Sequence, residues 1–422
     1  MLFKFAIASL LLLLVSCQPK AGSNQSQATG NDNSTSNNNL YAPDLPPSTA
    51  TATNTQTSFN DIVASQTQTM SHLSTQTSTQ SIQTGPCPDS DHWNVDKYKR
   101  CSLKTFNDYC QARTLSQNLQ NTMKVLHAMA PTAQGCTALL QALNQTQLNL
   151  AQKNLQDIAP LVGMQNINTL ILSYNSIVDI YYLSYLSNLT TLMLDGNQIT
   201  DISSLASLTK LQQLNISFNP ITSVYALKSL TNLTSVQADN NQVTVNSNDF
   251  FIFSSLTQLT SLTLNNNKLT KVDFLQNMTQ LKELYLSQNF LTDLTVLSLL
   301  VNLDHLDVSQ NQITSLWTLK TFTKLVQINA SNNPLGAFTE GYTWNTLTLL
   351  NLSNTGLNDL SFLKTFTLLD ELDMQGCQVS DFIPLQSLNN LTYLDVRGCQ
   401  PPMPQSVSDT ITNNNSGIEI RQ

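Results

Sequence analysis

Apolar positions along this chain obey neither the helical nor the strand period for long. In "LMLDGNQITDISSLASLTKLQQ", Leu192 to Gln213, an apolar-x-apolar element gives way to apolar residues about every three positions: Ile199, Ile202, Leu205, Leu208 and Leu211. The stretch before it, "LILSYNSIVDIYYLSYLSNLTT", carries the same residue types in the same places. With the second apolar residue of each "LxL" as marker, the pattern recurs at Leu150, Leu172, Leu194, Ile216, Ala238, Leu264, Leu286, Val308, Ala330, Leu352, Met374 and Val396. The step is 22 residues throughout except for one of 26. A fixed period of this size predicts a solenoid, in which stacked coils bury a shared core. Each "LxL" predicts a short strand with both apolar side chains inward, because alternate strand residues face opposite sides. The later three-residue spacing predicts tight turns or 3₁₀ segments on the return path.

Three residues after each marker comes an asparagine: Asn175, Asn197, Asn219, Asn241, Asn267, Asn289, Asn311 and Asn333. A buried amide is costly unless paired. At a corner it can donate and accept with the backbone of its own and adjacent coils, which predicts an asparagine ladder. The slot holds Lys153 in the first coil and Thr355, Cys377 and Cys399 in the last three. The repeat resembles the 22-residue leucine-rich repeat of bacterial internalins, whose "NxIxDI" is present as "NSIVDI" and "NQITDI". The resemblance spans residues 144–399, about twelve coils. It implies an α/β solenoid: a leucine-rich repeat horseshoe with a parallel concave β-sheet and a convex side of 3₁₀, short-helix or extended segments. It also implies a partner bound on the concave face. Between Val243 and Phe250 the longer coil carries "TVNSND" before "FFIF", so extra chain is expected to bulge outward, with Phe250 and Phe253 in core register.

The flanks read differently. Residues 86–143 acquire aromatics, charges and helical spacing in "LSQNLQNTMKVLHAM" and "CTALLQAL", separated by Pro131. This predicts a small helical cap, since an end coil exposes apolar edge and unpaired strand groups unless covered. Residues 400–422 are expected to cap the other end, with Ile418 and Ile420 as a final partial strand. Residues 1–16, one cation followed by an apolar run, read as a signal peptide too short to cross a bilayer of roughly 30 Å as a lasting helix. Leu14-Val15-Ser16-Cys17 resembles a bacterial lipobox, which implies lipidation of Cys17; Gln18 after it implies the outer membrane under the enteric sorting rule. The localisation expected is therefore the bacterial cell envelope, lipid-anchored, at the outer membrane or cell surface. Residues 17–85 are low in complexity and rich in Ser, Thr, Asn and Gln, the composition of a disordered tether. O-linked sugars on its Ser and Thr, or a sticky polar tract, are alternatives for it.

Apart from Cys17, six cysteines remain, an even number that fits disulfides outside the cytosol: Cys87, Cys101, Cys110, Cys136, Cys377 and Cys399. The first four allow three pairings, and neighbour pairing, Cys87 with Cys101 and Cys110 with Cys136, is the expectation adopted. Cys377 and Cys399 occupy equivalent slots of adjacent coils about 5 Å apart. Parallel side chains there leave the Cβ atoms slightly too distant for a bond, so two buried thiols are expected.

Nineteen Lys and Arg against 27 Asp and Glu, a net charge of -8, argue against nucleic acid as a partner, because that affinity comes largely from basic side chains. No nucleophile elbow, HExxH, phosphate loop or CxxC is present, so neither an enzyme, a cofactor nor a metal is expected. Four positions per coil face outward on the concave sheet. They carry seven acids (Asp195, Asp239, Glu283, Asp307, Glu371, Asp373, Asp395) and one base, Arg397. Read as free of structural duty, these acids predict a basic partner or one rich in hydrogen-bonding groups. Three clusters stand out as partner-binding candidates. Tyr174 and Phe218 flank a gap floored by Gly196, with Ile171 and Met193 alongside; exposed aromatics commonly anchor interfaces. Glu283, Tyr285, His305 and Asp307 adjoin in the middle, where one histidine makes a poor metal site. Glu371, Asp373, Tyr393 and Asp395 form a carboxylate patch suited to a cation. The expected function is a monomeric, non-enzymatic lipoprotein that binds a protein or peptide, in adhesion or a host or prey interaction. The alternative is an envelope-organising or glycan-binding structural protein.

Overall fold

The computed structural model describes residues 105–243, 255–335, 338 and 341–422. The signal peptide, Cys17, the tether, Cys87, Cys101 and the expected bulge with Phe250 and Phe253 lie outside the described residues.

Three helices precede the repeats: α1 (Phe106–Gln111), α2 (Gln117–Met129) and α3 (Gly135–Leu143). Helix α1 starts at a capping box, with the Thr105 hydroxyl accepting from the Asp108 amide and the Asp108 carboxylate accepting from the Thr105 amide. A Cys110–Cys136 disulfide, Cα to Cα 5.8 Å, ties α1 to α3, the neighbour pairing expected for these two. Leu119, Leu126 and Leu139 face inward and join one core continuous with the coils. Thr122 Oγ1 of α2 donates to the Asp157 carbonyl at 2.5 Å and Asn121 Nδ2 to the Asn154 carbonyl at 2.9 Å, so the helices are bonded to the first coil as well as packed on it.

Thirteen strands of three residues, from β1 (Gln147–Asn149) to β13 (Glu419–Arg421), form one parallel sheet in sequence order. Register follows the repeat: Leu170 pairs with Leu192, and Leu192 with Leu214. Across the longer coil Val236 still meets Leu262, so the strand register is kept. The central residue of each repeat strand points into the core, as do the marker residues, from Leu150 to Val396.

The asparagine ladder is present. Asn289 Nδ2 donates to the Leu264 carbonyl of the preceding coil at 2.9 Å and to the Leu286 carbonyl of its own at 3.0 Å. Its Oδ1 accepts the Leu269 amide at 3.1 Å. Asn197, Asn219, Asn267, Asn311 and Asn333 make the same three bonds. Each amide thereby satisfies buried backbone groups at a corner that no regular ladder reaches.

The return path is built from 3₁₀ segments such as Tyr181–Tyr185, Ser203–Ser207 and Thr295–Leu299. The Asp of "DI" acts locally. Asp179, Asp201, Asp293, Asp359 and Asp381 each accept the amide two residues on with Oδ1, starting the 3₁₀ turn. The coil after Ala330 departs from this design. There Trp344 is fully buried, donates Nε1–H to the Leu319 carbonyl at 2.8 Å, and packs with Tyr342 and Phe366.

At the far end α4 (Gln405–Asn414) covers the last coil, Asn415 Nδ2 donates to the Leu388 carbonyl at 2.9 Å, and β13 pairs with β12 (Tyr393–Asp395). The expectation of two thiols at Cys377 and Cys399 is corrected here: they form a disulfide, S–S 2.08 Å, with Cα atoms 4.4 Å apart. These coils approach at that corner by less than the ordinary strand spacing of about 4.8 Å, which brings the pair within bonding range. A covalent link thus takes over where the asparagines stop, with Thr355 Oγ1 donating to the Leu352 carbonyl between the two regimes.

Candidate binding surface

The outward residues of the sheet are under more backbone constraint than alternation alone reveals. After each strand the chain turns, and the amide that follows the marker residue needs an acceptor. Where the last strand residue is Asn or Asp, its own Oδ1 supplies it, an Asx turn. Asn149 serves Ala151 in this way, Asn215 serves Ser217, Asp307 serves Ser309, Asn329 serves Ser331, Asn351 serves Ser353, Asp373 serves Gln375 and Asp395 serves Arg397. Where that residue is Gln237, Thr263 or Tyr285, the preceding coil lends the acceptor. Ser217 Oγ takes the Asp239 amide at 3.1 Å, Asp239 Oδ1 the Asn265 amide at 2.7 Å and Asn265 Oδ1 the Ser287 amide at 2.8 Å.

This corrects the expectation that the acids are free of structural duty. Asp195 is buried and accepts from Ser173 Oγ at 2.5 Å. Asp239 also accepts from Thr263 Oγ1, Glu283 from Ser261 Oγ, and Asp307 from Ser309 Oγ and Asn329 Nδ2. Asp373 accepts from Ser353 Oγ and Gln375 Nε2. Burial pushes the carboxyls of Asp195, Asp239 and Asp307 up from 3.8, against the opposing pull of these hydrogen bonds. A surface whose carboxylates already have partners gives less support to a basic ligand than their number suggests.

The carboxylate patch near the end is likewise met from within. Asp395 is fully buried; Arg397 Nη2 lies 2.6 Å from Oδ2 and Nε 3.0 Å from Oδ1, and the Tyr393 hydroxyl donates at 3.0 Å. Burial raises the Asp395 carboxyl, but the Arg397 hydrogen bonds and charge outweigh it and hold the group below 3.8. Strand β13 adds Glu419 and Arg421, with the Arg421 guanidinium 5.3 Å from the Tyr393 ring centre. The cation this cluster attracts is the chain's own.

In the middle, Glu283 pairs in register with His305 and Tyr285 with Asp307, so the four expected residues do adjoin. His305 Nδ1 turns aside to Asp304 Oδ1 at 2.6 Å. Burial, and then the charge of Glu283, raise the Tyr285 hydroxyl to about 12.

Near the start, Ile171 and Met193 are half-buried neighbours in register, while Tyr174 and Phe218 stand out, 56% and 53% exposed. The gap expected over Gly196 is occupied: a Cβ there would meet Tyr174 Cδ1 at 2.7 Å, so the glycine seats the ring. Phe290, 52% exposed, lies just past the same corner in a later coil and escaped the reading of the sheet positions.

The family model for leucine-rich repeats, two copies, matches residues 165–207, 187–229 and 257–299. The array is a leucine-rich repeat solenoid. An internalin from Listeria monocytogenes is 24% identical, with 72% of this chain and 94% of that one covered and a TM-score of 0.61. The functional domain of the Listeria monocytogenes internalin InlJ, described as including a cysteine ladder, is 22% identical over 75% of this chain and 76% of its own, TM-score 0.52. A leucine-rich repeat protein of Leptospira interrogans is 18% identical over 75% and 97%, TM-score 0.51. At these identities the likeness is one of fold. No curated protein sequence matches significantly. Among the described residues of the leucine-rich repeat unit, no helix is long and apolar enough to cross a membrane.

Proposed function

We propose that this leucine-rich repeat chain is a non-enzymatic binding protein of a bacterial cell envelope, lipid-anchored through Cys17 and carried on the 17–85 tether. Its partner is a protein or peptide held on the concave side of the array, in adhesion or a related surface contact. The reading rests on one contrast within the sheet. In the later coils the last strand residue is Asp or Asn and serves the backbone, whereas Ile171, Met193 and Tyr285 hold that position with side chains that do not. Ile171 and Met193, placed where the fold elsewhere has an amide or carboxylate and in the same stretch as exposed Tyr174 and Phe218, with Tyr285 further along the sheet, have the composition of an interface core, rich in aromatics and Met and poor in charge.

Proximity labelling on intact cells tests it. The chain carrying Tyr174→Ala, Phe218→Ala and Tyr285→Ala is expected to lose the specific partners of the wild type; the same partners at equal strength contradict the reading. Cys17→Ser is expected to move the protein from the membrane fraction to the soluble fraction.

A further inference from the structure

Charge is divided between two sides of the array. In the eleven coils from Leu150 to Met374, the residues nine to sixteen places past the marker, thirteen to twenty in the longer coil, make the 3₁₀ segment and the turn after it, on the side away from the sheet. The described residues of that back carry five lysines, Lys210, Lys228, Lys320, Lys324 and Lys364, and one carboxylate, Asp273. The outward positions of the sheet, with seven acids and one base, are the reverse. Among the described residues no carboxylate pairs with any of the five lysines.

Apolar side chains gather on the same back. The 3₁₀ segments Thr295–Leu299 and Trp317–Leu319 belong to neighbouring coils and pack side by side. There Leu299, Val301 and Trp317 are 51%, 55% and 44% exposed. Lys320 Nζ stands 3.4 Å from the Trp317 ring centre, and Lys324 Nζ reaches back to Asn302 Oδ1 at 2.6 Å, next to Val301. Buried Tyr342 supports the indole edge-to-face, ring centres 6.4 Å apart. Four coils earlier, exposed Tyr225 has Lys228 5.8 Å from its ring centre in the same three-residue relation.

A lone exposed leucine or valine needs no explanation. An indole, two aliphatic side chains and two ammonium groups within two coils make a surface that is apolar and cationic together. Indole and phenol rings favour the boundary between hydrocarbon and headgroup, and lysine stems lie along apolar surface while their amines reach outward. A second copy of the chain fits poorly, because a two-fold contact sets the lysines against one another. The lysines are also spread one or two to a coil from Lys210 to Lys364, which a fluid layer of anionic headgroups meets without matching a fixed set of carboxylates.

We propose that the back of the array around Leu299, Val301, Trp317, Lys320 and Lys324 docks on an anionic lipid surface, the apolar side chains at the headgroup boundary and the lysines on lipid phosphates. This goes beyond the concave-side reading and draws only on its anchor: a chain held at a membrane by its N-terminus meets headgroups at high effective concentration. Contact through the back leaves the sheet turned outward, toward partners.

The test adds the full chain to excess vesicles of brominated phosphatidylcholine, alone or mixed with brominated phosphatidylglycerol, and follows tryptophan emission; Trp344 is buried in the core, away from the lipid. The proposal expects quenching on the anionic vesicles that high salt reverses and Trp317→Phe abolishes. Lys320→Gln with Lys324→Gln should lower the equilibrium constant for contact roughly 30-fold, about 5-fold for each charge, while Lys320→Arg with Lys324→Arg keeps it. Leu299→Ser with Val301→Ser should lower it at least about 10-fold. Equal quenching on neutral vesicles, quenching that survives Trp317→Phe, an unquenched wild type, or loss of contact in the arginine variant overturns the proposal. So does tighter binding of poly-glutamate or DNA than of anionic vesicles, the mark of a different anionic partner. Tyr174→Ala, Phe218→Ala and Tyr285→Ala together should leave the quenching unchanged, and Cys17→Ser should keep it when vesicles are in excess. Failure of the concave site or of the anchor is thereby read apart from failure of the lipid contact.

Discussion

The two ends of this array solve one backbone problem with different side chains. From Asp307 to Asp395 the last strand residue is Asp or Asn in every coil and caps the turn that follows; in the earlier coils only Asn149 and Asn215 do so, Ile171, Met193, Gln237, Thr263 and Tyr285 stand in the other coils, and coils from Ser217 to Asn265 lend acceptors across the stack. On the inner side the contrast runs the same way: asparagine bonds the corners as far as Asn333, and Thr355 and then the Cys377–Cys399 disulfide finish the row. The later coils each supply that turn acceptor from their own strand. Among the earlier ones Ile171, Met193 and Tyr285 are outward side chains that cap no turn, which is where recognition has room to reside.

The largest effect expected is in the earlier region. Asn289→Ala leaves the buried Leu269 amide without its acceptor and removes one of two asparagine donors from each of the Leu264 and Leu286 carbonyls, which keep Asn267 Nδ2 and Asn311 Nδ2. At roughly 1–3 kcal/mol for the unsatisfied amide and roughly 0.5–1.5 kcal/mol for each of the two lost hydrogen bonds, the loss should reach about 3 kcal/mol or more and show in chemical denaturation, with increased hydrogen exchange centred on that coil. In the later region, Cys377→Ser with Cys399→Ser opens a 22-residue loop, a cost of roughly 3 kcal/mol on the loop-entropy account. Because coils contact mainly their neighbours, exchange should rise from Met374 to the end and leave the asparagine-bonded coils protected. A uniform rise along the array would erase the distinction between the two regions.

Acidification separates, by sign, the buried carboxyls that lack a cation from the one beside Arg397. Asp239 and Asp307 have folded pKa values above 3.8, so the native state binds protons first and their part of the stability rises as pH falls from neutral toward that value. Asp395 lies below 3.8; its contribution, present above that value, is lost only as pH falls through its folded value. Asp239→Asn should therefore flatten the gain at mildly acid pH, and Asp395→Asn the loss at strongly acid pH, in melting curves recorded against pH.

The solenoid, its register, the asparagine ladder and the closing strand were legible in the chain, because period and residue type at one slot specify them directly. Asp179 and Asp201 were legible as a motif but not as 3₁₀ starters. The concave carboxylates misled, since alternation states which face a side chain takes and not which backbone amide it serves; the Asp-x-Ser of Asp307 and Ser309 was the available signal. The disulfide was missed because it depends on a few tenths of an ångström in coil approach at one corner. The Tyr174 ring over Gly196 depends on a positive φ that sequence suggests for glycine and conceals for tyrosine.

The central claim is that the last strand position is structural where Asp or Asn stands there, as in every coil from Asp307 to Asp395, and released at Ile171 and Met193, and a reciprocal exchange tests it without any partner. Asn351→Met removes the acceptor of the Ser353 amide, and Met193→Asn supplies one where none is needed for the present fold. Urea denaturation of the two single variants should show Asn351→Met losing about 1 kcal/mol and Met193→Asn holding or gaining stability. Asn351→Met as stable as the wild type, or Met193→Asn the more damaged of the two, would contradict the account.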